Sequence, residues 1–183
     1  MTHPTDASAP SRRLYLALSL GVVLLDQITK ILVDRRLELH ESRSIVDGLL
    51  SLTYVRNRGA AFGLLSDAGL PYQSLLFTLV SLAALTAIGL YAWRLPPAHG
   101  LAQGALALVM GGAVGNLIDR ARLGHVIDFV DVYWGVHHWP AFNVADSAIS
   151  IGVALLVLDV LRSPHSDDAP DRMGAASPGG SPD

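Results

Sequence analysis

Four long apolar runs constrain the fold of this chain more than any other feature. They cover residues 14–33, 73–93, 101–118 and 144–161, and the second and third contain no formally charged residue. Each run is close to the ~20 residues with which an α-helix crosses a hydrocarbon core ~30 Å thick. The sequence therefore predicts an all-α membrane protein with four transmembrane helices. A soluble bundle of unusually apolar helices is the alternative, and it is the less favoured one.

Composition and charge support this interpretation and exclude several classes of function. Of the 183 residues, 51% are hydrophobic and only 16% are charged, below the roughly 25% that is usual in soluble domains. The net charge of −3 and the absence of a basic stripe argue against a nucleic-acid partner. The chain has no cysteine, which excludes disulfides, thiolate metal sites and a cysteine nucleophile.

The remaining segments divide the chain into one membrane domain, residues 12–163, and two tails. The stretch "SRRLYLALSLGVVLL" resembles the start of a secretory signal, but no small-residue cleavage site follows it, so we interpret it as an uncleaved anchor helix. The tails, residues 1–11 and 164–183, have the Pro, Ser, Gly and Asp content that predicts disorder. Four spans place both termini on one side of the membrane and the long segments 34–70 and 119–143 on the other.

These two long segments carry β-strand signals. "SIVDGLLSLTYV" places β-branched and aromatic residues around an Asp-Gly turn, which predicts a small β-element and a loop between helices 1 and 2. "VIDFVDVYW" in the second segment has similar strand character. The small residues of "RNRGAAFGLLSDAG" are typical of a mobile flap.

Polar residues gather where the third run ends. Asn116, Asp119 and Arg120 follow i, i+3, i+4 spacing, which places them on a similar side of a helix. Taken alone, this pattern is better explained by an ordinary helix-end ion pair with a cap.

Two further carboxylates lie at the same predicted membrane surface. Asp128 alternates with valines in a strand-like stretch, whereas Asp131 falls on the opposite face and is expected to be solvated. Asp146 lies one turn inside the fourth span, three residues after Asn143. It is either a functional residue or a charge favoured by the helix dipole. Two carboxylates brought close together share a proton and can act as general base and general acid, as in an aspartic peptidase.

Five motifs, in this order, together resemble the bacterial lipoprotein signal peptidase (signal peptidase II) family over residues 14–161. They are "DQITK" at 26–30, "RNRGAAFG" at 56–63, "GNLIDR" at 115–120, "GHVIDF" at 124–129 and "FNVADSAI" at 142–149. The resemblance implies Asp128 and Asp146 as the catalytic aspartates. It also implies six supporting or substrate-binding residues: Asn57, Gly59, Asn116, Asp119, Arg120 and Asn143. Gly63 matches a further position at which the family's motif has a small residue.

The resemblance further implies an aspartic endopeptidase of the bacterial inner membrane that needs neither cofactor nor metal. It would cut diacylglyceryl-modified prolipoproteins just before the lipidated cysteine. Its partners would be these substrates and membrane phospholipids, and we expect a monomer. The active site would lie near the extracytoplasmic face and both termini in the cytoplasm. The arginines do not favour this orientation, because seven lie on the predicted outer side and five on the inner side.

Two features inside the spans have structural interpretations. Asp26 and Lys30, an i, i+4 pair in the first run, are predicted to neutralise one another in the bundle interior, with a role in organising the active-site loops as the alternative. Ala107, Gly111 and Gly115 form a ladder of small residues that predicts close helix contact.

Other functions would need different residue patterns. A zinc hydrolase could draw on His125, His137 and His138, but adjacent histidines diverge on a strand and no HExxH motif is present. The serines of "ADSAIS" lack the pattern of a serine peptidase. A transporter or proton relay would show inverted halves, which the sequence lacks. Its candidate residues would be Asp26, Lys30, Asp146 and Asp159.

Overall fold

The computed structural model describes residues 12–59, 72–96 and 99–162. Its four helices are α1 (Arg12–Arg36), α2 (Gln73–Arg94), α3 (Gly100–Leu123) and α4 (Val144–Arg162). All four are long and apolar enough to cross a membrane, so the predicted set of four helices is confirmed. The predicted tails lie outside the described residues, as do Gly63 and most of the predicted flap.

Two helices are longer than the apolar runs that predicted them. α1 continues to Arg36 and α3 to Leu123, and the last turn of each carries arginines. Basic side chains are favourable at the C-terminal end of a helix dipole, so these turns remain helical beyond the apolar stretch. α3 then ends at Gly124, whose φ of 75° is the left-handed conformation that glycine adopts readily.

α3 is the central helix of the bundle, and small residues let its neighbours approach. A Cβ on Gly111 would lie 2.7 Å from the backbone oxygen of Ser19 in α1. On the other face, a Cβ on Gly112 would collide with the backbone oxygen of Ala145 in α4. The small-residue ladder of α3 therefore does mediate close helix contact, and Gly112 extends that contact to a second face. α2 contributes much less, since none of its most apolar window is buried.

A four-stranded antiparallel sheet covers one end of the bundle. Its strands, in spatial order, are β1 (Ser42–Val46), β2 (Leu50–Asn57), β3 (Val126–Trp134) and β4 (His137–His138). The predicted Asp-Gly turn joins β1 to β2, with Gly48 at a φ of 78°. The β-element is thus not confined to the segment between helices 1 and 2. β3 and β4, from the segment before α4, complete it because β2 pairs with β3.

A small apolar core attaches this sheet to the helices. Val33 and Leu37, from and just after α1, pack with Tyr54, Ile127 and Phe129 of the two central strands. This core fixes β2 and β3 over the end of the bundle where α1 and α3 finish and α4 begins. We call this the sheet end, and we call the opposite end, where Arg12 and Arg162 lie, the far end.

Candidate active site at the sheet end

Asp128 lies on β3, and its side chain is only 1% exposed. The β2–β3 register places Asp128 opposite Val55, two residues from Asn57. Asn57 Nδ2 donates a hydrogen bond to Asp128 Oδ2 at 2.9 Å, and Asn143 Nδ2 donates to Asp128 Oδ1 at 2.7 Å. Both oxygens of this buried carboxyl group are therefore bound by neutral amides rather than by a cation.

Asp146 occupies the first turn of α4 and is 5% exposed. Its backbone N–H donates to Asn143 Oδ1 at 2.9 Å, and the backbone N–H of Asn143 donates to Asp146 Oδ2 at 3.2 Å. This reciprocal pattern is a capping box, with Asn143 as the cap and Asp146 three residues later. Asn116 Nδ2 donates to the other oxygen, Asp146 Oδ1, at 2.8 Å. Asp146 thus has the helix-start role proposed from its position, and it also reaches the polar residues of α3.

Asn143 connects the two aspartates. Its side chain is fully buried, and the same Nδ2 group that binds Asp128 also lies 3.2 Å from Asn116 Oδ1. The two carboxyl groups are close enough for the negative charge of Asp146 to act on Asp128. Burial, followed by that charge, raises the pKa of Asp128 from 3.8 to about 7.

Lys30 joins the predicted intramembrane pair to this site. Its Nζ lies 2.9 Å from Asp26 Oδ2, 2.9 Å from Asp119 Oδ2 and 2.8 Å from Asn116 Oδ1. Asp26 and Lys30 are both buried, with exposures of 0% and 1%. The ammonium group holds the oxygen of Asn116, which leaves the Asn116 NH₂ group to face Asp146. The pair is thus in contact as predicted, but it also orients a residue that binds Asp146, a candidate catalytic carboxylate.

Asp26 also binds the start of α4. Its Oδ1 accepts a hydrogen bond from the backbone N–H of Ala145 at 3.0 Å, one of the donors that a helix start leaves unpaired. Gly115 makes room for this carboxylate, since a Cβ there would lie 2.6 Å from Asp26 Oδ2. Gln27 completes the contact by donating to Asp119 Oδ1 at 3.0 Å. Gln27 was not among the predicted site residues, because a lone glutamine beside a charged pair gives no distinct sequence signal.

Asp119 and Arg120 attach the end of α3 to the strands. Asp119 Oδ2 accepts a hydrogen bond from the backbone N–H of Ile127 at 3.2 Å. Arg120 Nη2 donates to the backbone oxygen of Gly59 at 3.1 Å, and the Gly59 N–H donates to Asn57 Oδ1 at 2.8 Å. All eight predicted catalytic and supporting residues described so far, together with Asp26 and Lys30, therefore belong to one connected region.

Asp131 and the histidines are further polar residues of the sheet end. Asp131 is 9% exposed, so the expectation that it is solvated is wrong. The return of β4 explains this, because His138 Nδ1 lies 2.9 Å from Asp131 Oδ1. His125 is half-buried, and burial followed by the charge of Arg56 lowers the pKa of its imidazole, although the charge of Asp119 opposes this. Within residues 12–59, 72–96 and 99–162, no three His, Asp or Glu side chains form a group that could hold a metal ion.

A cavity of about 290 Å³ opens beside Asp146. It lies between the strand segment before α4 and α4 itself, and mostly apolar atoms line it. Its lining residues are Trp139, Phe142, Asp146, Ser147, Ser150 and Ile151. One of the two buried carboxylates is therefore accessible from a cavity of ligand size.

Comparisons with known proteins identify the family. The family model for signal peptidase (SPase) II matches residues 18–162. The chain is 54% identical to the lipoprotein signal peptidase of Geobacter sulfurreducens over 153 residues, which are 84% of this chain and 94% of that protein. It is 51% identical to that of Syntrophus aciditrophicus, over 77% of this chain and 88% of that protein.

A solved structure described as a bacterial membrane enzyme determined by the in meso method at 1.9 Å resolution has the same fold. Its TM-score is 0.72 at 29% identity, and the match covers 83% of this chain and 95% of that one. A second such structure, at 2.3 Å resolution, gives a TM-score of 0.71 at 29% identity, over 86% of this chain and 93% of that one. The chain, a multi-pass membrane protein by its four helices, therefore belongs to the signal peptidase II family of lipoprotein signal peptidases.

Proposed function

We propose that this protein is an aspartic endopeptidase that removes signal peptides from diacylglyceryl-modified prolipoproteins, with Asp128 and Asp146 as its catalytic pair. The observation that carries the proposal is that both carboxyl groups are buried at the edge of the helix bundle and bound to the same asparagine, Asn143. Membership of the lipoprotein signal peptidase family supports the substrate class.

The chemistry follows from unequal protonation of the pair. Burial and the charge of Asp146 raise the pKa of Asp128 to about 7, so near neutral pH Asp128 holds a proton for much of the time. The ionised partner takes a proton from a water molecule, and the resulting hydroxide attacks the scissile carbonyl carbon. The proton held by the pair is then delivered to the leaving amine as the C–N bond breaks. Amide donors from Asn57, Asn116 and Asn143 keep both carboxyl groups in place throughout.

The cavity beside Asp146 supports a substrate that arrives within the membrane. Ile151, on its wall, is 54% exposed on the outside of α4, in the region that hydrocarbon would surround. A prolipoprotein with two acyl chains and an apolar signal helix is already confined to the bilayer. It would therefore meet this cavity by lateral diffusion, and cleavage would occur just before the lipidated cysteine.

The proposed orientation places the sheet end at the extracytoplasmic face of the inner membrane and both termini in the cytoplasm. The sequence places more arginines on the side of the sheet end than on the side of the termini, which is the reverse of what the positive-inside rule expects for an outer face. Several of the sheet-end arginines, however, have local partners. Arg43 binds Glu41 at 2.8 Å, Arg56 lies over the ring of Tyr54, and Arg120 binds the Gly59 carbonyl. Their positions are explained by the sheet and the site, so they are weak indicators of topology.

Cleavage by purified protein tests the proposal. The wild type is compared with Asp128→Asn and Asp146→Asn on a diacylglyceryl-modified prolipoprotein and on the same precursor without lipid. Each replacement removes the titratable group at almost constant volume. We expect both variants to lose activity by about 10⁴-fold, the scale seen when a catalytic aspartate is removed from a protease.

Asp131→Asn is the matched control, because Asp131 is a buried aspartate of the same strand that pairs with His138 instead of Asn143. It should retain near wild-type cleavage. Thermal unfolding of each variant establishes that it folds. Cleavage at the wild-type rate by a folded Asp128→Asn or Asp146→Asn variant would remove that residue from the mechanism, and equal cleavage of the unlipidated precursor would contradict the substrate class.

A further inference from the structure

A second cavity lies at the far end of the bundle, remote from the proposed catalytic pair. It has a volume of about 160 Å³ and is enclosed by α1, α2 and α3. Its walls include Ser19 of α1, Gly89 of α2 and Leu106 of α3, and apolar atoms make up most of its surface. An apolar cavity of about 150 Å³ excludes water and accepts a benzene-sized ligand, so this one suits a segment of an acyl chain.

Arg12 stands at the mouth of this cavity in a fixed position. Its guanidinium carbon lies 4.8 Å from the centre of the Trp93 ring, and its Nη2 donates to the Trp93 backbone oxygen at 3.1 Å. Trp93 is itself 73% exposed. Exposed tryptophans of membrane helices lie at the level of the lipid headgroups, so the Arg12 guanidinium is placed at the level of the phosphates. An arginine has five N–H donors, and those not directed at Trp93 are available to a phosphate.

The surroundings of the mouth are cationic. Arg13 begins α1 beside Arg12, Arg94 ends α2 immediately after Trp93, and Arg162 ends α4 at the same end of the bundle. Among the residues that the structure describes at this end, Asp159 is the acidic one. The charge at the mouth therefore favours an anionic group over a zwitterionic one.

We propose that this cavity is a binding site for an anionic phospholipid. One acyl chain enters the space between α1, α2 and α3, and the phosphate binds Arg12. The site is separate from the peptidase centre, because the 18 residues from Arg12 to Lys30 span about 27 Å along α1.

Lipid titration of the delipidated full-length protein, followed by native mass spectrometry, tests this proposal. The probes are phosphatidylglycerol and phosphatidylcholine with identical acyl chains. We expect the wild type to prefer phosphatidylglycerol. Arg12→Gln should weaken phosphatidylglycerol binding about fivefold, the effect of one arginine near an anionic lipid surface. It should weaken phosphatidylcholine binding less, because the choline charge offsets that of the phosphate.

Gly89→Leu tests the cavity itself. A Cβ on Gly89 meets nothing within 4 Å, so the larger side chain can enter the cavity without displacing backbone, and it should weaken binding of both lipids. Gly21→Leu is the matched control, because Gly21 is equally unobstructed but lies outside the cavity lining. Prolipoprotein cleavage in detergent should be the same in all three variants.

Three results would overturn the proposal. The first is equal binding of the two lipids by the wild type, and the second is unchanged binding in both Arg12→Gln and Gly89→Leu. The third concerns a different occupant, the N-terminal segment of this chain. If deletion of residues 2–11 increased phosphatidylglycerol binding severalfold, that segment and not a lipid would be what the cavity holds.

Discussion

The two ends of this helix bundle handle charge in opposite ways. At the sheet end, Asp26, Lys30, Asp128 and Asp146 are all buried, and each has hydrogen-bonding partners on another element. At the far end, the charged groups that the structure describes are exposed arginines and the partly exposed Asp159, and the interior is an apolar cavity. Since both ends are built from the same apolar helices, helix composition does not determine where charge is buried. Buried charge occurs where a sheet and asparagine side chains supply partners for it.

Removal of the Lys30 charge should produce the largest difference between the two ends. Lys30→Met keeps the length of the side chain but leaves Asp26 and Asp119 buried without their cation. Loss of one partner from a buried ion pair costs about 3–5 kcal/mol, so we expect a large drop in unfolding temperature together with loss of peptidase activity.

Arg12→Gln, at the far end, is the comparison for Lys30→Met. Because Arg12 is exposed, its loss should change the free energy of unfolding by no more than about 0.5 kcal/mol in detergent. Thermal unfolding of both variants measures the contrast. Equal decreases in the unfolding temperature of the two variants would show that the buried charge of Lys30 contributes no more to stability than the exposed charge of Arg12.

Substitution at the contact between α3 and α4 should have the next largest effect on stability. Gly112→Val places a side chain against the Ala145 backbone, at the start of α4, and overpacking of this kind costs about 1–3 kcal/mol. It should also reduce cleavage, because Asp146 follows Ala145. Gly89→Val, in an unobstructed part of α2, should be nearly neutral in both measurements. If the two valine variants behaved alike, the close approach of α3 and α4 would not position Asp146.

Stability should depend on pH through Asp128. The folded-state pKa of about 7 lies above the ordinary value of 3.8, so between these values the folded protein binds more protons than the unfolded chain. The contribution of Asp128 to stability is therefore complete below pH ~4 and falls as the pH rises to ~7, by at most about 1.4 kcal/mol per pH unit. Unfolding temperatures measured from pH 4 to 8 should show this decline in the wild type and a weaker one in Asp128→Asn. An identical decline in both proteins would assign the effect to another group.

Substitution in the short edge strand β4 should have the smallest effect on stability and cleavage. His138 is half exposed where it meets Asp131, and exposed ion pairs contribute about 0.2–1 kcal/mol. His138→Ala should therefore lower the unfolding temperature slightly and leave cleavage unchanged. A loss of activity comparable to that of Lys30→Met would mean that β4 belongs to the active site.

The sequence predicted the four helices well because membrane-spanning segments have a strong length and composition signal. It also predicted which polar residues belong together, through motif resemblance. It did not predict that Lys30 touches Asp119 and Asn116, because spacing along α1 relates Lys30 only to residues of its own helix. The contacts depend on Gly115, whose missing Cβ lets α1 approach α3.

The sheet was harder to predict for a related reason. Strand character was recognised in both long segments, but the pairing of Leu50–Asn57 with Val126–Trp134 joins residues about seventy to eighty positions apart. The burial of Asp131 was missed because it depends on the short return strand at His137–His138, which has too little sequence to give a strand signal.

Infrared spectroscopy of the carboxyl groups tests the central claim most directly. A protonated carboxylic acid has a C=O stretching band that disappears on ionisation, so a titration reports the pKa of a buried aspartate in the folded protein. The wild type should lose one such band with a midpoint near pH 7, as the pKa of Asp128 requires, and Asp128→Asn should lack it. If all carboxyl groups of the wild type titrated near pH 4, Asp128 would be ionised at neutral pH, and the proton-sharing pair would be contradicted.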